Sequence, residues 1–376
     1  MVKQQKQHID WWIFLSVLIL MFFSFAFVYS ASTYFALIKG MNPESLLMNH
    51  IAKIALAILA MIFCIVIDYH FWSKVSFYLI ILAIVSLIAV LVVGENVGGA
   101  RRWLNLGIQF QPSEFAKFAV IIHFGTLLHR KQEGIKDLKS GYLPFILWLV
   151  LICVLIAMEP NFSMVILITG IGLLILYLGG ARLKHLISTI GIGVVLGVLY
   201  SFTSAYRMNR ILYFLGLLEG DAKAQLAYQI DIALIALGSG GLFGLGIGGS
   251  RQNLLLSEPY TDFLFSIIGE EYGFIGLTVI IGLFLLILWR SVYIAKRAPD
   301  HLGYLYTIGI AISIFIFFLV NAYVNAALIP TTGVPLPFLS YGGTSAIFNG
   351  ALIGIILNVS SQIKHNKSQD PTITKV

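Results

Sequence analysis

Residues 75–93 read VSFYLIILAIVSLIAVLVV, an apolar run without one charge, and such a run is long enough to cross a hydrocarbon layer of about 30 Å as a helix. That reading sets the fold. Comparable windows fall at 11–31, 51–67, 112–128, 142–158, 162–178, 185–204, 264–289, 303–322 and 344–360. Together they predict an all-α, polytopic integral membrane protein with ten transmembrane helices. Composition agrees: of 376 residues 59% are apolar and 11% charged, against roughly a quarter charged in a soluble domain. A water-soluble globule and a disordered chain are both excluded. Cys64 and Cys153, the two cysteines, lie in apolar runs, so neither a disulfide framework nor a cysteine metal cluster can be built.

Lys and Arg resist translocation and collect in cytoplasmic loops. With the N-terminus inside, most of the 24 Lys and Arg fall on the cytoplasmic side, among them Lys74, Arg130, Lys131, Arg182, Arg290 and Arg297. Both termini are then cytoplasmic, and the net charge of +7 reflects topology and not nucleic-acid binding. The predicted organisation is one membrane domain over 1–376, a large extracytoplasmic loop at 205–263 and a short cytoplasmic tail at 361–376. Within the loop, an apolar stretch runs into Gly238, Gly240, Gly241, Gly244, Gly246, Gly248 and Gly249. A re-entrant or interfacial helix ending in a glycine-rich turn fits this pattern. The glycines serve either a phosphate nest or close helix packing.

Residues 98–117, GGARRWLNLGIQFQPSEFAK, place Arg101 and Arg102 outside, against the charge rule. Glu114 and Lys117, three apart at the start of a span, are either site residues or a plain intrahelical ion pair. Asp262 stands where the long loop re-enters the membrane, after Glu258 and Thr261. There it is either a partly desolvated base or a helix N-cap. Glu270 and Glu271 lie deeper in the same span. Nucleotide-binding, zinc-protease and serine-hydrolase motifs are missing. The histidines are scattered, and a divalent cation, Mg or Mn, held by carboxylates and a diphosphate stays open.

The segments Arg102-Trp103-Leu104 through Glu114-Phe115-Ala116-Lys117, Ala236-Leu237-Gly238-Ser239-Gly240-Gly241, Thr261-Asp262-Phe263 through Gly269-Glu270-Glu271, and Pro335-Leu336-Pro337 through Ser340-Tyr341-Gly342-Gly343-Thr344-Ser345 resemble one family in motif and order. It is the shape, elongation, division and sporulation family, the FtsW, RodA and SpoVE proteins of the bacterial cell wall. The resemblance implies a glycosyltransferase of the cytoplasmic membrane that polymerises lipid II into glycan strands on its outer face. The division type, FtsW, is favoured over the elongation type, RodA; a lipid II flippase or transporter and a non-catalytic scaffold are the rivals.

Carried onto this sequence, the family pattern makes Asp262 the base. Arg101, Arg102, Lys117, Arg207 and Arg210 become candidates to neutralise the diphosphate, with Glu114 holding Lys117 and with Trp103 and the glycine stretch bordering the cavity. Glu258, Thr261, Glu270, Glu271, Ser340, Gly342 and Gly343 would support it. Tyr260 stands where the family usually has His, and Asn161-Phe162-Ser163 where it usually has Asp-Phe/Leu-Gly. Implied partners are lipid II, the nascent strand, membrane lipid, divisome or elongasome proteins, and a single-span class B penicillin-binding protein. The Phe315, Phe317 and Phe318 face offers that partner's helix a dock, if it does not simply face lipid.

Overall fold

The computed structural model describes residues 8–363 except 39, 41, 98, 99, 106, 108, 132, 133 and 258. Twelve α-helices follow in order: α1 (Trp11–Ile38), α2 (Pro43–Val66), α3 (Tyr69–Val93), α4 (Pro112–Arg130), α5 (Leu143–Met158), α6 (Phe162–Leu178), α7 (Leu183–Ser201), α8 (Ala205–Phe214), α9 (Asp221–Ser239), α10 (Leu264–Lys296), α11 (His301–Asn325) and α12 (Gly343–Ser360). Eight of the described helices are long and apolar enough to cross a membrane, which makes this a multi-pass membrane protein. Of the ten predicted spans, α4 and α6 are outside that set. The α6 helix has only 17 residues. The α4 helix carries Glu114, Lys117 and Arg130, yet is buried along nearly its whole length. A helix walled in by other helices needs no apolar outer face, because lipid never touches it.

One departure from the all-α expectation lies between α3 and α4. Here β1 (Glu95–Val97), β2 (Ala100–Asn105) and β3 (Gln109–Phe110) form an antiparallel meander, with Asn96 opposite Arg101 and Leu104 opposite Phe110. Part of the external 98–117 stretch is therefore a small sheet, and its end is the first turn of α4.

Tight helix pairing uses glycine where backbones meet. A Cβ on Gly350 would sit 2.5 Å from the Ala57 carbonyl oxygen, and one on Gly354 would overlap that of Met61, so α12 seats directly on α2. At the other end of the chain, Arg290 of α10 pairs with Asp10, whose backbone N–H donates to Ser360 Oγ at 3.0 Å. The start of α1 and the ends of α10 and α12 thus meet at one end of the bundle.

The glycine-rich turn after α9 answers the question its sequence left open. The α10 helix breaks at Gly273, whose φ is +64°, and the turn fills the break. Leu245 and Gly246 N–H donate to the carbonyls of Glu270 and Glu271 at 2.9 and 3.0 Å, while Phe274 and Ile275 N–H reach Gly241 and Leu242 at 2.9 and 3.1 Å. A Cβ on Gly244, at φ +81°, would overlap the Glu271 carbonyl oxygen. Close packing is the structural role. Gly244→Ala is expected to cost about 2–3 kcal/mol through combined backbone strain and overpacking; thermal unfolding of the purified protein in detergent measures it, and an unchanged transition would refute this packing role.

Candidate functional site

Asp262 sits on the turn that leads into α10, half-buried. Its backbone is over-determined. Asn321 Nδ2 and Asn325 Nδ2, one helical turn apart on α11, each donate to the Asp262 carbonyl at 3.0 Å. Ser340 Oγ donates to the Thr261 carbonyl at 2.6 Å and accepts from Leu336 N–H at 2.9 Å. Tyr341 N–H donates to the Tyr260 carbonyl at 2.9 Å, and the two tyrosine rings meet edge-on at 5.6 Å. The Thr-Asp-Phe and Pro-Leu-Pro…Ser-Tyr-Gly-Gly motifs, some eighty residues apart, are one structure. Phe263 is the N-cap residue of α10, one residue after Asp262, and Asn325 Oδ1 accepts from Ser266 N–H in the first turn at 3.0 Å.

Asn321 and Asn325 went unnoticed in the sequence. Their signal was available, two amides four apart in an otherwise apolar span, where a polar side chain is costly unless bonded. Asn321 Nδ2 also donates to the Val334 carbonyl at 2.8 Å, so α11 holds the Asp262 turn and the 330–334 stretch together.

That stretch gathers two further elements. Gly333 lies beside Asp262, a Cβ there falling 3.5 Å from Asp262 Oδ2. Ser163 Oγ at the start of α6 donates to the Thr332 carbonyl at 2.7 Å, and Arg210 Nη1 from α8 donates to the Thr331 carbonyl at 2.7 Å. Arg102 reaches the neighbouring corner before α6: Nη2 to the Pro160 carbonyl at 2.5 Å and Nε to the Glu159 carbonyl at 3.2 Å. Burial pushes the Glu159 carboxyl up to about 8 against the opposing pull of Arg102. Arg210 thus braces the 331–334 stretch beside Asp262, and Arg102 braces the corner before α6, which Ser163 ties to that stretch. A cavity of about 370 Å³ opens beside Arg210 between α8, α9 and residues 327–331, with Lys223 and Asp231 on its wall.

Other candidates make other contacts. Arg101 points outward from β2 and is exposed, and Trp103 is half-buried opposite Glu95. Arg207 turns back on α7, donating to Thr203 Oγ1 at 2.6 Å and stacking over Tyr200 at 4.0 Å. Glu114 and Lys117, each 1% exposed, form a 2.6 Å ion pair. Lys117 Nζ also donates to Asn349 Oδ1 at 3.2 Å and lies 4.1 Å over Phe317. The buried-pair reading fits them best. Glu270 accepts from Ser250 Oγ at 2.5 Å and Arg251 N–H at 3.1 Å, and Glu271 accepts from Ser30 Oγ. The residues that follow the glycine-rich turn thus bind the protein's own carboxylates, and the turn itself packs into α10 through the Glu270 and Glu271 carbonyls. Gly342 caps α12 and Gly343 opens it. Glu258 falls outside the described residues.

Of the Phe315, Phe317 and Phe318 face read as a dock, Phe315 is half-buried, while Phe317 and Phe318 are 1% and 2% exposed. The latter two face inward, against Lys117 and Phe284, and offer a partner helix nothing. Among the described residues no three His, Cys, Asp or Glu converge on a cation site.

The family model described as "Cell cycle protein", covering FtsW, RodA and SpoVE, matches residues 10–365. The chain belongs to this FtsW/RodA/SpoVE family. Among FtsW/RodA/SpoVE relatives, a probable peptidoglycan glycosyltransferase FtsW of Geobacter sp. (strain M18) is 36% identical over 94% of this chain and 97% of its own length. Stage V sporulation protein E of Bacillus subtilis (strain 168) is 35% identical over 91% and 94%. In fold, the chain is similar to the crystal structure of Thermus thermophilus rod shape determining protein RodA, with a TM-score of 0.69 at 25% identity over 95% of this chain and 98% of that one. A chain of a peptidoglycan synthase complex described for its coordination of polymerisation and crosslinking aligns at TM-score 0.78, 24% identity, over 94% and 97%.

Proposed function

We propose that this chain is a peptidoglycan glycosyltransferase of the FtsW type, polymerising lipid II on the outer face of the bacterial cytoplasmic membrane during division. The observation that carries it is the Asp262 turn, fixed by Asn321, Asn325, Ser340 and Tyr341, beside backbone braced by Arg102 and Arg210. In the reaction a sugar hydroxyl of one substrate attacks the anomeric carbon of the other. The new glycosidic bond forms as the bond to the diphosphate breaks, and the hydroxyl proton passes to the Asp262 carboxylate. One base suffices for a single displacement; a hydrolase would want two carboxylates at set separation. The guanidinium charges of Arg102 and Arg210 steady the departing diphosphate.

Orientation rests on charge. Asp10, Arg290 and Ser360 meet at one end of the bundle, the end that carries Arg130 and Arg297, and the positive-inside rule assigns that end to the cytoplasm. Both termini are then inside, and the 205–263 segment with Asp262 is outside. A class B penicillin-binding protein is the fitting partner, a transpeptidase that crosslinks what this chain polymerises. The relatives named FtsW support a division role over elongation. Reconstituted with that partner and lipid II, the purified chain is expected to produce glycan strands, resolved by gel electrophoresis. Lipid II recovered intact from active, folded preparations of both proteins would overturn the assignment.

A further inference from the structure

The α2 helix carries Lys53 as its one Lys or Arg, with Asn49 and His50 before it and only apolar residues after it. No described carboxylate lies within ion-pair distance of it. A lone cation in a span is costly unless something holds it. Its ammonium group lies 3.8 Å over the ring of Tyr341, and its methylene stem lies on Gly343, where a Cβ would come within 3.0 Å of Lys53 Cδ. One turn earlier, buried His50 packs against the same Tyr341 ring at 5.7 Å and meets Ser24 Oγ at 2.9 Å. Tyr341 in turn donates its N–H to the Tyr260 carbonyl, two residues before Asp262.

From this arrangement we infer that Lys53 is a positioning residue for Asp262, acting through Tyr341. The cation–π contact fixes the Tyr341 ring from one side. Tyr260 meets it edge-on from another. Without Lys53 the ring gains freedom, and with it the 260–262 turn loses one of the ties that aim its carboxylate. Misaiming a base by a fraction of an ångström lowers turnover and leaves substrate affinity nearly untouched. Gly343 is explained as well: a side chain there would displace the lysine stem.

The inference rests on the glycosyltransferase reading, and its test keeps the two apart. Steady-state polymerisation of lipid II is measured for the wild type, Lys53→Met, Lys53→Arg, Tyr341→Phe, Tyr341→Leu and the double variant Lys53→Met/Tyr341→Leu. Lys53→Met is expected to lower kcat about tenfold with KM within about twofold, the size of one desolvated cation–π contact. Lys53→Arg and Tyr341→Phe, which keep cation and ring, should retain most activity, and the double variant should be no slower than the slower single one. In parallel, Asp262→Cys is placed in a chain whose Cys64 and Cys153 are changed to Ala, and its labelling by a thiol reagent is timed with and without the Lys53→Met change. That change should alter the labelling rate several-fold. Full kcat in Lys53→Met, a raised KM with kcat kept, independent effects of the two substitutions, or labelling blind to Lys53 would each overturn the inference. Labelling that responds to Lys53→Met as expected, in a protein whose unsubstituted form makes no glycan, would instead defeat the functional reading alone.

Discussion

Asp262→Asn lowers the polymerisation rate by about 10²–10⁴-fold, the usual contribution of a positioned general base. Asn matches Asp in shape and keeps every backbone contact of the turn, because the bonds from Asn321 and Asn325 go to the Asp262 carbonyl and not to its side chain. Folding is therefore expected to survive. The amide cannot take the hydroxyl proton, so chemistry alone is lost. Asp262→Glu keeps the base but lengthens it by one methylene on a turn that cannot shift. A fall of about tenfold to a hundredfold is expected from that misplacement. Rates from purified preparations with matched unfolding temperatures are the check, and a Glu variant slower than the Asn variant would speak against a base at this position.

The second large effect concerns stability. Lys117→Met leaves Glu114 buried at 1% exposure without the ammonium that lies 2.6 Å from it. Removing one member of a buried ion pair costs about 3–5 kcal/mol, because the other charge stays desolvated and uncompensated. That is a large share of the stability of an ordinary protein. Changing both, Glu114→Gln with Lys117→Met, removes the stranded charge. The double variant should recover most of the loss, since buried pairs replaced as a pair are often near neutral. Asn349 Oδ1 and the Phe317 ring are the other neighbours of the ammonium, and the amide oxygen loses its donor in both variants that lack Lys117. Thermal unfolding of the three variants in one detergent decides it: a double variant no better than Lys117→Met would contradict a simple buried pair and return Lys117 to the candidate substrate contacts.

Much of the fold was legible because lipid imposes a length and a composition on every helix it touches. Residues 75–93 read as a span for that reason. The α4 helix satisfied the windows only loosely, since burial among neighbours relaxed the demand for apolar residues. The β1–β3 meander escaped notice: its strands are two to six residues long, too short for an alternating pattern to stand out. Which way a residue faces was the harder question. The Phe315, Phe317 and Phe318 face looked like a docking surface, but a run of phenylalanines carries no mark of which rings meet lipid and which the core.

The site was legible in part. Asp262 and the Ser340-Tyr341 segment were both picked out, though only the fold joins them, through hydrogen bonds from Ser340 and Tyr341 to backbone carbonyls of the turn. Contacts to backbone leave no complementary side-chain pair to find. For the same reason the target of the glycine-rich turn, the carbonyls of Glu270 and Glu271, had no signature. Arg102 and Arg210 also bond main-chain oxygens, and chain position alone could not separate them from Arg101 and Arg207, which turn elsewhere.

The measurement that bears most directly on the account pairs two readings on a single Asp262→Asn preparation: equilibrium binding of lipid II and its single-turnover conversion to polymer. Binding within a few-fold of wild type and conversion slowed by about two orders of magnitude or more are expected. Conversion at the wild-type rate, or slow conversion explained wholly by lost binding, would contradict that account.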